Sequence, residues 1–378
     1  MKKNIALQTA VEILAQSQEK HLESVMSREL GTRAKLSQAD KSKAARSIFA
    51  YYRWKNWLNP KATLLNQLIE AVELSNRYRE QRSSFSETEL RERAVPAWIF
   101  DHLQPSPSWL RRLQEEPLLW LRARPGFAAA LQSELKVQAF QPNGHWANTL
   151  QYLGTDDLFS TSLFKEGAFE IQDLHSQAIG FLCAPQPGER WWDVCAGEGG
   201  KMLHLAALMS NQGLLWATDP STHRLKQLRK RAARAKVFNY RCDVLRDKHF
   251  SNFKNYFHGI LVDAPCTGIG TWQRSAHHRW TTEPGSVARL AELQAKILRD
   301  AVGALRPNGK LVYSVCTLTR AETTEVTRLV SEIPELEPLP TPDPFTGELK
   351  FEHWFRAEDR PANGMFAAAW KKVKVLSS

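Results

Sequence analysis

The second half of the chain repeats one pattern, in which a short apolar run ends in a polar residue and a helical segment follows. The run at 259–262 is an example, because it ends at Asp263 and Pro265 then prevents the strand from continuing. Strands that alternate with single helices form a parallel, doubly wound sheet whose carboxyl ends lie at one edge. We therefore expect an α/β domain over residues 171–378 with a ligand site at that edge.

The polar residues that end these runs are the first candidates for the site. The pattern predicts helices over about 202–209, 221–236, 284–305 and 320–333, and a turn at 306–309 before the fifth strand. The residues that this topology brings to the sheet edge are Asp193, Asp219, Asp243, Asp263 and Cys316.

Two smaller parts precede this domain. Residues 1–92 are predicted to be all-helical, because apolar residues recur at helical spacing and Ser37 is a suitable helix N-cap. Residues 93–170 are predicted to form a small α/β module, because two β-like runs flank a helical run. The charged, serine-rich stretch 76–95 is typical of a linker between the two parts.

The chain carries a net charge of +11, which favours an acidic partner, with nucleic acid before a membrane surface. Residues 1–61 hold 12 Lys and Arg against 5 Asp and Glu, although a solvated helix face explains this excess as well as an RNA-contacting face does. No run is long enough to span a membrane, and the start is typical of a helix rather than a signal sequence. Five cysteines without metal-ligand spacing favour a reducing, cytoplasmic location and no metal site.

The glycine-rich turn at 195–201 is a candidate cofactor site. Its three glycines form a tight strand-to-helix turn that lets a ligand approach the backbone. NAD-binding proteins and methyltransferases both use such turns, so the turn alone is a weak signal. It departs from the GxGxxG pattern and no hydride-transfer group is evident, which favours S-adenosylmethionine. Asp219 can then accept hydrogen bonds from both ribose hydroxyls, and Asp243 from the adenine amino group.

Cys266 and Cys316 each follow a predicted strand and provide the most specific chemical signal. Carbon 5 of a pyrimidine is weakly nucleophilic, and a thiolate that adds to carbon 6 converts the ring into an enamine that can attack a methyl donor. This addition needs an acid near N3, and a base must afterwards remove the proton from carbon 5. Asp263 and the two thiols provide these groups, whereas Cys183 and Cys242 are more simply explained as small core residues.

Three motifs that contain these residues resemble the motifs of the Sun-family (RsmB-like) RNA cytosine-5 methyltransferases. They are Asp193-Val-Cys-Ala-Gly-Glu-Gly-Gly-Lys201, Asp263-Ala-Pro-Cys-Thr-Gly-Ile-Gly270 and Tyr313-Ser-Val-Cys-Thr317. Segments 172–173 and 363–371 also match the family pattern. The resemblance covers about residues 96–378 and is greatest to the bacterial 16S ribosomal RNA methyltransferases.

The resemblance implies a Rossmann-like, S-adenosylmethionine-dependent methyltransferase sheet, preceded by an RRM-like module and an all-helical, NusB-like RNA-binding domain. It implies that Cys316 is the nucleophile, that Cys266 helps to break the covalent adduct, and that Asp263 borders both the base and the cofactor. The expected cofactor-binding residues are Cys195, Ala196, Gly197, Glu198, Gly199, Gly200, Lys201, Asp219, Arg224, Asp243 and Asp263.

Some features depart from the family pattern or lie outside the motifs. Glu198 places a charge in a turn that the family usually writes Ala-Pro-Gly-Gly-Lys-Thr, and only Arg274 remains of an expected Arg-Arg-x-Pro run. The helix at 221–236 has seven basic residues and no acid, which is typical of a solvated outer helix and less often of a phosphate-binding one. His277 and His278 are expected in a loop beside the site, where they could touch RNA.

The leading hypothesis is a monomeric, cytoplasmic RNA cytosine-5 methyltransferase that acts on ribosomal RNA, with 16S RNA as the expected target. The alternatives are a transfer RNA cytosine-5 methyltransferase, a catalytically silent RNA-binding factor in ribosome assembly, and a nicotinamide-dependent oxidoreductase. Both thiols and Asp263 argue against the silent factor, and the glycine turn argues against the oxidoreductase. If Cys266 were the nucleophile, as in DNA cytosine methyltransferases, the roles of the two thiols would be exchanged.

Overall fold

The computed structural model describes residues 5–17, 22–34, 36–142 and 146–374. The chain divides into two compact units, each assembled from more than one stretch of sequence. The first unit comprises residues 1–117, 268–286 and 357–361, and the second unit comprises residues 118–267, 287–356 and 362–378. The division into three domains at residues 92 and 170 stays a prediction.

The helices and strands are numbered in chain order over the described residues. The α-helices are α1 (Ile5–Gln16), α2 (Leu22–Thr32), α3 (Gln38–Arg53), α4 (Leu64–Glu80), α5 (Glu87–Arg93), α6 (Pro107–Arg112), α7 (Ala128–Glu134), α8 (Ser162–Lys165), α9 (Leu174–Cys183), α10 (Gly200–Leu208), α11 (Thr222–Arg234), α12 (Lys248–Asn252), α13 (His278–Thr281), α14 (Ser286–Ala301) and α15 (Thr324–Ser331). The strands are β1 (Leu119–Ala123), β2 (Val137–Ala139), β3 (Thr149–Tyr152), β4 (Phe169–Ile171), β5 (Arg190–Asp193), β6 (Leu214–Asp219), β7 (Tyr240–Val244), β8 (Phe257–Asp263), β9 (Leu305–Val315), β10 (Leu336–Pro338), β11 (Thr341–Pro342), β12 (Leu349–Lys350), β13 (Glu352–Phe355) and β14 (Met365–Lys372).

The first unit is built from helices, as expected for the N-terminal part of the chain. Ser37 caps α3 as predicted, because its side chain accepts a hydrogen bond from the backbone N–H of Asp40. A core of aromatic and aliphatic side chains fills the unit, and it includes Trp54, Trp109 and Trp272, all of which are buried. Trp54, which lies between two basic residues in the sequence, is therefore a core residue.

The stretch 76–95 is not a linker, which corrects the interpretation of its composition. It contains the end of α4 and all of α5, and Tyr78, Phe85 and Leu90 are buried in the core of the first unit. The charged and serine residues between them are mostly exposed. A few buried apolar side chains are therefore sufficient to anchor these two helices in the core, although most residues of the stretch are polar.

The second unit begins with a four-stranded antiparallel sheet in the order β2-β3-β1-β4. With α7 after β1 and α8 before β4, the chain order is β-α-β-β-α-β. This split βαβ arrangement is the topology that an RRM-like module would have. Residues 119–171 thus form a small α/β sheet with more strands than the sequence predicted, whereas residues 93–117, which were predicted to belong to the same module, lie in the first unit.

The main sheet has the order β10-β14-β9-β8-β5-β6-β7, and β13 pairs with β14. Strands β7, β6, β5, β8 and β9 are parallel, and β14 is antiparallel to β9. Trp191 packs in one core cluster and Trp192 in the other, because successive residues of a strand face opposite sides of a sheet. A core on both faces confirms the doubly wound α/β domain.

The carboxyl ends of the parallel strands lie at one edge, as the pattern predicted. Asp193, Asp219 and Asp263 are the last residues of β5, β6 and β8, Asp243 is next to last in β7, and Cys316 follows β9. The helices predicted at 284–305 and 320–333 are present but shorter, as α14 and α15.

Residues 306–309 lie inside β9 and not in a turn before it, which corrects the prediction. Phe257 of β8 lies opposite Leu305 and Gly259 lies opposite Lys310, so β9 accommodates extra residues as a bulge. Asn308 has a φ of 61° there, a left-handed conformation that asparagine tolerates. None of the described helices combines the length and apolar character that a membrane span requires.

Candidate active site

A cavity of about 730 Å³ lies at the carboxyl edge of the main sheet, within the second unit. Its volume is typical of a site for a small molecule. The predicted site residues that line it are Cys195, Ala196, Gly197, Glu198, Asp219, Arg224, Asp263, Cys266 and Cys316. The parallel topology therefore brings most of the predicted residues into one cavity.

The glycine turn between β5 and α10 has left-handed backbone at two positions. Gly197 has a φ of 55° and Gly199 a φ of 86°. A Cβ on Gly199 would lie 2.7 Å from Cγ of Leu228, so only glycine fits there. A Cβ on Gly197 would meet no atom within 4 Å, because this residue faces the open cavity.

The Asp219 carboxylate fixes this turn from the end of β6. It accepts hydrogen bonds from the backbone N–H of Gly197 at 3.0 Å and from that of Ser221 at 2.8 Å. A carboxylate has about four lone-pair positions, so Asp219 retains acceptor capacity toward the cavity. The N–H of Gly197 is thus used within the protein and is not available to a ligand.

Four of the predicted cofactor-binding residues do not line the cavity: Gly199, Gly200, Lys201 and Asp243. Asp243 is exposed, and its role with adenine stays a prediction. The loop after β7 instead contributes Arg246 and Asp247 to the lining. Sequence analysis did not select these two residues, although their position directly after a parallel strand is a signal for them.

The two thiols of Cys266 and Cys316 are adjacent, with their Sγ atoms 3.3 Å apart. Each cysteine follows the end of a strand, β8 or β9, and these strands are neighbours in the sheet. Both residues are partly exposed and line the cavity. The two thiols that the sequence analysis selected therefore share one cavity.

Asp263 lies beside these thiols and is held by two partners. Nζ of Lys201 donates to its Oδ2 at 2.6 Å, and Oγ of Ser314 donates to its Oδ1 at 2.7 Å. Burial alone would lower the pKa of Lys201, but the Asp263 carboxylate outweighs burial and raises it. Lys201 is therefore charged and paired with Asp263, so it belongs to the site although it does not line the cavity.

The other cysteines have environments that disfavour a thiolate. Burial raises the pKa of Cys183 to about 12, and burial together with the nearby Asp193 also raises the pKa of Cys195. Burial likewise raises the pKa of Cys242. These three thiols remain protonated near neutral pH, which leaves Cys266 and Cys316 as the pair suited to chemistry.

Glu322 is a residue of this site that sequence analysis missed. It is fully buried and follows β9 by a few residues. The groups that donate hydrogen bonds to its carboxylate are the backbone N–H and Oγ1 of Thr267, Nε2 of Gln294, Oγ1 of Thr317 and Oγ1 of Thr319, at 2.6–3.1 Å. Among the described residues, no basic side chain forms an ion pair with it.

These contacts tie together the two segments that carry the thiols. Thr267 follows Cys266 and Thr317 follows Cys316, and their hydroxyl oxygens are 2.9 Å apart. Gln294 also donates to the carbonyl of Pro265 at 2.9 Å, so α14 supports the same segment. The only local signal for Glu322 is an acid among threonines after the second cysteine, and such an acid is usually exposed.

Two basic segments have structural partners that the sequence did not reveal. Arg231 and Arg234 of α11 each donate to the buried carboxylate of Glu170, at 2.8 and 2.6 Å. In the first unit, His278 begins a helix and not a loop, and Arg279 is fully buried with backbone carbonyls as its acceptors. These residues are therefore at least partly structural.

Known proteins provide an independent comparison. A family model described as 16S rRNA methyltransferase RsmB/F matches residues 181–371. A protein of Bacillus subtilis (strain 168), named probable ribosomal RNA small subunit methyltransferase B, is 36% identical over 181 residues. The match covers 47% of this chain and 40% of that protein, so the chain spans less than half of this relative.

Solved structures resemble the chain in fold. The crystal structure of PH0851 has a TM-score of 0.69 at 22% identity and covers 97% of this chain and 81% of its own. NSun6 from Pyrococcus horikoshii, solved with SFG, has a TM-score of 0.61 at 18% identity and covers 71% of this chain and 94% of its own. At these identities the likeness supports the Rossmann-like methyltransferase fold.

Proposed function

The chain belongs to the 16S rRNA methyltransferase RsmB/F family, and we propose that it transfers a methyl group from S-adenosylmethionine to carbon 5 of a cytosine in RNA. The observation that carries this proposal is the pair of adjacent thiols that line, together with the Asp263 carboxylate, a cavity of about 730 Å³. Silent RNA-binding proteins have no need for two thiols in contact at such a position.

The proposed first step is the addition of Cys316 to the base. A thiolate at Sγ of Cys316 forms a bond to carbon 6, and the electron pair of the C5–C6 double bond moves through the ring toward N3. N3 then takes up a proton. We propose that this proton comes from solvent in the cavity and that the Asp263 carboxylate, held in place by Lys201, stabilises the protonated ring.

The glycine turn and Asp219 fit S-adenosylmethionine. Gly197 offers open space at the cavity wall, and Asp219 has the acceptor positions that ribose hydroxyls require. Arg224, Glu198 and the loop after β7 complete the proposed site. When bound, S-adenosylmethionine supplies the methyl group that carbon 5 of the base takes up.

The proposed last step is release of the enzyme by Cys266. Its thiolate removes the proton from carbon 5, the C5–C6 double bond forms again, N3 loses its proton, and Cys316 leaves as a thiolate. The 3.3 Å between the sulfur atoms supports this step, because two groups so close together can act on the two ends of one C5–C6 bond. Nucleophile and release group would thus act on adjacent ring atoms without movement of the sheet.

We propose ribosomal RNA of the small subunit as the substrate and the cytoplasm as the location. The family description and the name of the Bacillus subtilis relative support this substrate, and a net charge of +11 favours an RNA partner. The protein is proposed to act as a monomer.

The test is transfer of a labelled methyl group from S-adenosylmethionine to total RNA, followed by mapping of the modified base. We expect 5-methylcytosine in 16S ribosomal RNA. Label in transfer RNA alone would show that the substrate is transfer RNA and not ribosomal RNA. Label on another base, or at another ring position, would refute the proposed methylation of carbon 5 of cytosine. No label in any RNA, from protein that binds RNA, would favour a silent assembly factor.

A further inference from the structure

A second cavity, of about 400 Å³, lies wholly within the first unit and contains a buried arginine. Arg46, Phe49 and Arg53 line one wall of it, and their spacing of three and four residues puts them on one face of α3. Arg274 and Ser275 line it from the segment after Cys266 in sequence. The lining thus combines three guanidinium groups with an aromatic ring.

Arg53 is buried to 2% exposure, and none of the described carboxylates forms an ion pair with it. Its Nε has no hydrogen-bond partner among the described residues, and no ion pair of Arg53 is present there. Burial lowers the pKa of Arg53 to about 10, so the side chain still carries its charge at neutral pH. A buried charge without a partner is costly, and a cavity beside it is where a partner anion would bind.

The carboxylates of this cavity do not neutralise it. The Glu116 carboxylate opposes the effect of burial on the pKa of Arg53, but Glu116 also forms an ion pair, at 3.6 Å, with Arg79 outside the cavity. Glu23 accepts a hydrogen bond from Oγ of Ser275 at 3.3 Å and is exposed. Among the described residues, Arg46 and Arg274 form no ion pair, and both are exposed. The cavity therefore has an excess of positive charge with guanidinium groups available to a ligand.

We propose that this cavity binds a phosphodiester group of the RNA strand, and this inference rests on the proposed function. Guanidinium groups bind phosphate oxygens through paired, charge-assisted hydrogen bonds. Phe49 is half-buried beside them and offers a surface on which a base can stack. A volume of about 400 Å³ accommodates a nucleotide and excludes a duplex, so the occupant is a single-stranded segment.

The test compares Arg53→Met, Arg46→Gln and Arg274→Gln with the matched control Arg93→Gln. Arg93 is an exposed arginine of α5 outside the cavity, so its change removes the same charge from the same unit. The probe is a fluorescent single-stranded RNA oligonucleotide of mixed sequence, titrated against the full chain by anisotropy without S-adenosylmethionine. We expect each cavity variant to bind about tenfold more weakly and the control to be unchanged.

Two further readouts separate an RNA site from a structural arginine. The slope of log affinity against log salt should fall by about 0.7 for each cavity variant if one phosphate contact is lost. Arg53→Met should also unfold at a higher temperature than the wild type, because the variant removes an unpaired buried charge. If Arg53→Met lowers the unfolding temperature and Arg46→Gln and Arg274→Gln bind RNA as the wild type does, the proposal is refuted.

Inorganic phosphate distinguishes the source of the anion. If phosphate raises the unfolding temperature of the wild type while all cavity variants keep full RNA affinity, the cavity serves a free anion and the RNA assignment is wrong. Absence of methyl transfer by the wild type would overturn the proposed function and leave this binding result intact. Normal methyl transfer with unchanged RNA affinity in the variants would overturn only the cavity.

Discussion

At the scale of single residues, two sulfur atoms 3.3 Å apart determine what the site can do. A base held against them presents carbon 6 and carbon 5 as neighbours, so one thiol can add while the other accepts a proton. The Asp263 carboxylate lies at the same edge of the cavity, where its ion pair with Lys201 holds it in place. Each sulfur therefore has a different consequence when it is removed.

We predict that Cys316→Ala abolishes methyl transfer, because no other group can add to carbon 6. Cys266→Ala should instead retain a covalent protein–RNA adduct, because release depends on that thiol. The measurements are labelled-methyl incorporation and a denaturing gel that detects protein joined to RNA. A covalent adduct that persists with Cys316→Ala and not with Cys266→Ala would show that Cys266 is the nucleophile and Cys316 the release group.

Glu322 provides a second prediction at this scale. Glu322→Ala should lower the free energy of unfolding by about 3 kcal/mol, because several buried donors lose their acceptor. Glu322→Gln preserves the shape but places an amide N–H₂ against donors, so kcat should fall while KM for S-adenosylmethionine stays near the wild-type value. Urea unfolding and steady-state kinetics measure both effects.

The control for Glu322 is Glu325→Gln in the same segment. Glu325 is 52% exposed and lies 3.9 Å from an exposed arginine, so this variant should resemble the wild type. Equal effects of Glu322→Gln and Glu325→Gln on kcat would show that the buried network does not position the thiols.

At the scale of secondary-structure elements, the turn from β5 to α10 depends on glycine at one position. Gly199→Ala should lower the free energy of unfolding by about 1–3 kcal/mol and weaken S-adenosylmethionine binding, because its φ is 86° and its Cβ would meet Leu228. Gly200→Ala is the control, since the nearest atom to its Cβ is 3.9 Å away. Thermal unfolding and calorimetric titration with S-adenosylmethionine compare Gly199→Ala with Gly200→Ala. Equal effects of the two substitutions would show that the contact with Leu228 is not the cause.

Asp193, at the end of β5, should make the free energy of unfolding depend on pH. Burial, together with the Asp263 charge, raises the pKa of Asp193 from 3.8 to about 8. A raised pKa means that the folded state binds the proton more tightly, so the stability from protonated Asp193 is complete below pH 4 and is lost as pH rises toward 8. The wild type should therefore lose stability relative to Asp193→Asn by up to about 1.4 kcal/mol per pH unit in this window.

Chemical unfolding of both proteins between pH 5 and pH 9 measures this difference. We expect the wild-type curve to approach a constant offset from the Asp193→Asn curve above about pH 8, where Asp193 is ionised in the folded state too. Parallel curves across the whole range would show that Asp193 keeps its ordinary pKa.

At the scale of the whole molecule, the net charge of +11 predicts binding to RNA that depends strongly on salt. If about six phosphates are contacted, an increase from 50 to 200 mM salt should weaken binding to RNA by about a factor of 10³. Anisotropy titrations across this range provide the measurement. Affinity that does not change with salt would exclude the phosphate backbone as the main contact.

Much of the second unit could be predicted from the sequence, because local patterns define it. Apolar runs that end in Asp193, Asp219 and Asp263 predicted strands, and the alternation with helices predicted a parallel sheet with those ends together. The motifs around Cys266 and Cys316 predicted adjacent thiols. The prediction of a turn at 306–309 was wrong, because a bulge is defined by its pairing with the neighbouring strand. The prediction of a linker at 76–95 was wrong, because its few apolar residues are recognised as core residues only from what they pack against.

Strand period and crossover handedness leave little freedom in which residues reach the edge of the main sheet, so these residues could be predicted. Only the tertiary structure decided how those residues are paired. Glu322 accepts hydrogen bonds from both thiol-bearing segments, Lys201 is joined to Asp263, and Arg53 is buried without an ion pair to any described carboxylate. The charge and position of each of these groups depend on burial and on partners that are far away in the sequence. Local sequence patterns contain no information about such partners.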